Sequence, residues 1–225
     1  MTKKLLEGVK VADFSWIITG PVTTKTLSDC GAVVVKIEGR SKSDLQRTTP
    51  PFKDTIEGVD RSGNFLHWNT GKLSLALNLA HPKGLGVAKR LVAWSDIVIE
   101  NFAGGVMQKM GLGYEELKKS KPDIIMLSTC MQGQTGPYAN HPGTGYQLTA
   151  LSGFSQITGW PDRLPPAIGP YTDFVAPLFN VFVLLAALDY RNRTGKGQYI
   201  DMSQYENGAH FMAPLLLDYA VNKRI

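Results

Sequence analysis

Short apolar runs alternate with longer mixed stretches along most of the chain. A β-rich run at 9–14 (VKVADF) is followed by a polar bridge and then Pro21, a residue suited to the first turn of a helix. That helix ends near Gly31, and 32–37 (AVVVKI) forms a nearly continuous apolar strand of the kind buried on both faces in a parallel sheet. From 39 to 64 the chain is polar, carries Pro50 and Pro51, and shows no sustained period, so it predicts a surface excursion. The alternation then resumes: strand at 73–79, helix at 81–94 opened by Pro82, short strand at 97–99, helix at 114–119, and buried strand at 124–130 (IIMLSTC). After a glycine-rich loop at 133–145 come a short helix at 146–152, an uncharged run at 174–188, a strand at 199–202 and an amphipathic helix at 203–220. Repeated strand–helix units predict an α/β domain with a mainly parallel sheet, whose ligands bind beyond the carboxyl ends of the strands.

The stretch with the most chemical promise joins a Pro/Gly loop at 163–172 to the uncharged run 174–188, with Asp173 at the junction. An apolar run bounded by an acid predicts a buried helix with Asp173 near its N-cap, where the dipole and free N–H groups favour an ionised, oriented carboxylate. Such an anion is a candidate nucleophile. A capping aspartate without chemistry satisfies the same local pattern.

Composition removes several classes. Hydrophobic residues at 43% and charged residues at 19% describe a chain that folds around a core, and no apolar stretch is long enough to span a bilayer. The start, MTKKLLEGVKVADF, lacks the apolar segment of a signal peptide, so a cytoplasmic location is expected. Cys30 and Cys130 stand far apart, which indicates neither a disulfide framework nor a cysteine metal site. The net charge of +5 is dispersed without interleaved aromatics, which argues against nucleic acid and suits a small polyanion. No G-x-G-x-x-G follows the first strand, which weakens a dinucleotide reading.

Several motifs in a shared order resemble the class III coenzyme A transferases of the CaiB/BaiF type, a group that includes formyl-CoA transferase and the α-methylacyl-CoA racemases. They are Asp13-Phe14 with Gly20-Pro21, Gly31-Ala32 leading to Val35-Lys36-Ile37-Glu38, and Asn69-x-x-Lys72 before Leu77-x-Leu79. Asp96-x-x-x-Glu100-Asn101-Phe102, Met110-Gly111-Leu112, Gly133-Gln134-x-Gly136-Pro137, Asp173 before Ala186-Ala187-Leu188, and Gly195-Lys196-Gly197-Gln198 with Asp201 complete the set. The resemblance covers the whole chain and implies a Rossmann-like domain with helices on both faces of the sheet. It implies that residues 1–202 form a large domain and 203–225 begin a linker helix, with a small domain and an interlocked homodimer in longer members. It implies further that Asp173 attacks an acyl-CoA thioester and that CoA passes to a free carboxylic acid through an aspartyl anhydride and an aspartyl-CoA thioester. CoA is then a substrate, and no tightly bound cofactor, metal, nucleic acid or membrane is expected. For CoA contacts the resemblance points to Thr19, Arg40, Lys72, Asn101, Phe102 and Lys109.

Two departures shape the expectation. Where the racemases carry a His-Asp pair this chain has Thr144 and Gly145, with His141 three residues early, so one face of an α-carbon lacks its proton carrier and transfer is favoured over racemisation. Ile18 and Gly39 stand where some transferases have Gln and Arg. A racemase and a non-catalytic CoA-binding fragment remain the alternatives.

Overall fold

The computed structural model describes residues 3–40 and 42–224. Strands β1 (Lys10–Asp13), β2 (Val33–Glu38), β3 (Leu73–Ala76), β4 (Ile97–Glu100), β5 (Ile125–Cys130) and β6 (Gln198–Ser203) form one six-stranded sheet in the order β3-β2-β1-β4-β5-β6. All five pairings are parallel. This is a doubly wound α/β sheet, and its winding reverses between β1 and β4. Loops leaving those neighbouring strands turn to opposite faces and leave a crevice beyond their carboxyl ends.

Period-2 alternation explains the two cores. Val11, Ile97, Ile99, Ile125 and Leu127 face one side with Leu27 of α1 (Thr19–Asp29) and Leu184, Ala187 and Leu188 of α7 (Thr172–Thr194). Ala12, Val98 and Met126 face the other side. Their partners there are Ala88 and Val92 of α3 (Pro82–Trp94), Met107 of α4 (Val106–Lys109) and Leu117 of α5 (Tyr114–Ser120). Burying both faces of the central strands accounts for their unbroken apolar sequences. β3 is the exception: it lies at one edge and is mostly exposed.

Helix α7 runs 23 residues and extends past the uncharged stretch at both ends. By length and composition it meets the requirement for a bilayer span, which the shorter run did not, yet half of its apolar window is buried in the fold. Asp173, Ala176, Pro177, Asn180, Leu184, Ala187 and Leu188 form its buried face at helical spacing, while Leu178 and Phe182 are exposed. Asn180 Nδ2 donates to Oγ1 of Thr23 at 3.1 Å and of Thr129 at 2.9 Å, tying α7 to α1 and β5.

Two elements differ from the sequence expectation. The segment 203–220 is two helices, α8 (Gln204–Phe211) and α9 (Ala213–Asn222), because Pro214 has no N–H to continue the ladder through Met212. The excursion 39–64 is not confined to the surface. Arg47 makes a two-pronged pair with Glu38 at 2.9 Å, Ser62 starts α2 (Gly63–Asn69), and Leu45 and Gln46 return to the carboxyl edge of the sheet.

Candidate active site

Three strands end in a carboxylate: Asp13 on β1, Glu38 on β2 and Glu100 on β4, all buried. Their neighbours give them different states. Burial alone would raise Asp13, but Lys72, Lys36 and the hydroxyls of Ser15 and Thr24 outweigh it and hold the carboxyl below its usual 3.8. Lys72 Nζ lies 3.2 Å from Asp13 Oδ2 and also donates to Asn69 Oδ1 at 2.8 Å and to the Pro21 carbonyl at 2.9 Å. Lys36 Nζ bridges the Ser15 carbonyl at 2.7 Å and Asp44 Oδ2 at 3.0 Å. Among the described residues, Glu100 meets no cation. Burial pushes it up to about 7, with Asp201 acting in the same direction, while Ser128 and the Phe102 N–H oppose.

This buried network holds the β1–α1 loop. Asp44 Oδ1 accepts from Ile17 N at 3.0 Å, and Asn101 grips Trp16 from both sides, accepting from its N–H at 2.8 Å and donating to its carbonyl at 2.7 Å. Ile17 has φ of 70°, a left-handed conformation that costs a β-branched residue on the order of 1–3 kcal/mol and persists only where surroundings impose it. Here the side chains of Asp44 and Asn101 do so.

Above that loop opens a cleft of about 390 Å³. Its walls include Ile17, Thr19 and Asn101 from the switch-point loops, Leu45 and Gln46 from the excursion, Thr129 and Cys130 from β5, and Thr144 and Gly145 from α6 (Gly145–Leu151). Asp173 and Gln204 complete it. Asp173 lies in the first turn of α7 rather than at its N-cap, which is Tyr171. The residue is 9% exposed, and burial pushes its carboxyl up to about 6, with the Gln204 amide and the Thr19 hydroxyl opposing. The expected helix-end stabilisation is outweighed by desolvation, although the carboxylate is still mostly ionised at pH 7. Gly145 makes room for it: a Cβ at that position would lie 2.6 Å from Asp173 Cγ. Cys130, which also lines the cleft, is a poor competitor as nucleophile, because burial, Asp201 and Glu100 push its thiol up to about 11.

The structure therefore brings together Thr19, Asn101 and Asp173 of the residues singled out from sequence. Phe102 stands beside them, edge-to-face with Trp16 at 6.0 Å between centroids. Arg40 and Lys109 are exposed and outside the cleft wall. Lys72, expected among the CoA contacts, lies outside the cleft wall: its side chain is 2% exposed, its ammonium meets three acceptors, and burial lowers its pKa to about 8. Gln204 was missed. The pattern Ser203-x-x-Glu206, in which Ser203 caps α8 by accepting from Glu206 N at 3.2 Å, marks a helix start directly at a strand end and held the signal.

A family model described as CoA-transferase family III matches residues 6–225. The succinate–glutarate CoA-transferase of Agrobacterium fabrum is 36% identical over 99% of this chain and 56% of its own length. The human succinyl-CoA:glutarate CoA-transferase is 34% identical over 98% of this chain and 50% of its own length. A CAIB/BAIF family protein from Brucella suis superposes with a TM-score of 0.92 at 37% identity, covering 99% of this chain and 59% of that one. The chain spans about half the length of the curated relatives it matches.

Proposed function

The chain belongs to CoA-transferase family III, and from that premise we propose that it carries the nucleophile of a transferase that moves CoA from an acyl-CoA to a free carboxylic acid. The supporting observation is Asp173 itself, a buried carboxylate that no cation among the described residues neutralises, at the head of a core helix and open to the cleft beyond the sheet. One Asp173 oxygen attacks the thioester carbonyl, expelling CoA thiolate and forming an anhydride. The thiolate returns to Cγ of Asp173 and releases the donor acid, leaving an aspartyl-CoA thioester. The acceptor carboxylate opens that thioester, and the thiolate then takes the acceptor's acyl group. Splitting one exchange into four additions suits a nucleophile that is ionised at pH 7 yet only lightly stabilised.

The relatives' names include succinate, glutarate and L-malate as acids, so short dicarboxylic acids are the first candidates for donor and acceptor. Exposed Arg40 and Lys109 suit the CoA phosphates, while Thr19, Asn101 and Phe102 suit the arm that enters the cleft. The exposed apolar residues of α7 and α9, among them Phe182, Leu216 and Leu217, suit a homodimer contact. Against racemisation, Gly145 has no room for a side chain beside Asp173, and His141 lines an adjoining recess of about 330 Å³ rather than the wall that carries Asp173.

The test is to incubate the full protein with succinyl-CoA, trap with hydroxylamine, and map the modified peptide by mass spectrometry. The adduct is expected on Asp173, and Asp173→Ala is expected to lose transfer by on the order of 10⁴-fold or more. Wild-type transfer by that variant overturns the assignment.

A further inference from the structure

The Gln204 carboxamide is buried, and all of its hydrogen-bonding capacity points into the cleft floor. Nε2 donates to Thr172 Oγ1 at 3.0 Å and to Asp173 Oδ1, and Oε1 accepts from Thr19 Oγ1 at 3.4 Å. The reverse amide orientation would set Oε1 against the carboxylate, acceptor to acceptor, so the network selects the donating face. Ser203 anchors the start of α8 as its cap, and Gly208 lets that helix approach Thr172 and Ser152 closely, with Cβ space 2.9–3.0 Å from their side chains. The amide is thus aimed by two helices and has no other hydrogen-bond partner among the described residues.

We propose that Gln204 is a catalytic oxyanion donor: with Oδ1 held by its amide, Oδ2 is the attacking oxygen, and the same amide receives the charge when Cγ of Asp173 is itself attacked. The inference rests on Asp173 being the nucleophile. Once Oδ2 has been acylated, Oδ1 is the carbonyl oxygen of the anhydride. CoA thiolate adds to Cγ, an electron pair moves onto Oδ1, and collapse breaks the Cγ–Oδ2 bond, so the donor acid departs carrying Oδ2. When the acceptor carboxylate attacks the aspartyl-CoA thioester the pair rests on Oδ1 again, until the C–S bond breaks. Both additions at Cγ place their negative charge beside Gln204 Nε2, whereas the additions at the acyl carbons do not. An N–H already in place needs no reorganisation when that charge appears.

The experiment compares Gln204→Leu and Gln204→Glu in the full protein with succinyl-CoA and glutarate as probes. Loss of one oxyanion donor costs about 10²–10³-fold in kcat, so Gln204→Leu should fall by that factor with KM for the acyl-CoA nearly unchanged. In single turnovers, formation of the aspartyl-CoA thioester should slow far more than the first release of thiolate. Gln204→Glu should be impaired at pH 8 and recover as pH falls, since a protonated carboxyl can donate to Oδ1 and an ionised one cannot; this arm stands even if the leucine variant does not fold. A kcat within threefold of wild type in folded Gln204→Leu, or equal slowing of both half-steps, or no acid rescue in Gln204→Glu, overturns the proposal. Absence of any Asp173 adduct in the wild type instead overturns the nucleophile assignment beneath it.

Discussion

Asp13 and Asp173 are both buried aspartates at the carboxyl edge of one sheet, yet their environments drive them in opposite directions. Asp13, 0% exposed, is ringed by Lys72, Lys36, Ser15 and Thr24 and held below its usual pKa. Asp173 has amide and hydroxyl neighbours but, among the described residues, no cation, and burial lifts it to about 6. Both pay a desolvation cost that burial imposes on any carboxylate, and the difference lies in what compensates it. At Asp13 the compensation makes an anchor, which fixes the β1–α1 loop and the floor beneath the cleft. At Asp173 the shortfall leaves a buried carboxylate whose charge is only partly offset, the state the proposed attack on a thioester draws on.

The comparison breaks first under Asp13→Asn. Removing one partner of a buried ionic cluster leaves Lys72 with only neutral oxygens, and stability should fall by about 3–5 kcal/mol in urea unfolding at pH 7. Because the folded pKa of Asp13 lies below 3.8, the wild-type advantage is full above that value and is lost only as pH falls through the depressed pKa. Asp173→Asn should do the reverse. Asparagine keeps an oxygen for the Gln204 amide and sheds the buried charge, so the variant should be more stable by about 1–3 kcal/mol while inactive. That gain is full above pH 6, where the wild-type carboxylate is ionised in both states, and it fades as pH drops toward 3.8, where the unfolded chain takes up the same proton. Equal signs for the two variants would mean that unpaired burial does not distinguish the two aspartates.

The smallest expected effect sharpens the picture at the cleft itself. Thr19 supplies the hydroxyl contact that, with the Gln204 amide, partly offsets the burial of Asp173. Thr19→Val keeps the shape and removes it, so the acid limb of kcat/KM, expected near pH 6 in the wild type, should move upward with the plateau changed only a few-fold. A pH–rate profile measured on both proteins reads this directly, and an unmoved limb would detach Thr19 from the titration of Asp173.

The same contrast shows which features were legible in the chain. Continuous apolar runs such as 124–130 announced central strands, since residues buried on both faces leave no polar positions in the pattern. Asp173 was legible because helix punctuation is local. The surroundings of Lys72 were not legible, because a lysine after a helix reads alike whether its head meets solvent or an aspartate 59 residues away. Leu45 and Gln46 were hidden inside an aperiodic excursion, where nothing in the pattern says which residues fold back onto the sheet.

By itself the sequence determined the parallel α/β architecture, the order of its elements and the placing of one carboxylate at the head of a long apolar helix, because hydrophobic period, proline and glycine act within a few residues. Only the tertiary structure decided which charges are neutralised and which are left uncompensated. Thr19 meets Gln204 across 185 residues and Gln204 meets Asp173 across 31, and the protonation of a buried group depends on the few atoms that folding sets against it.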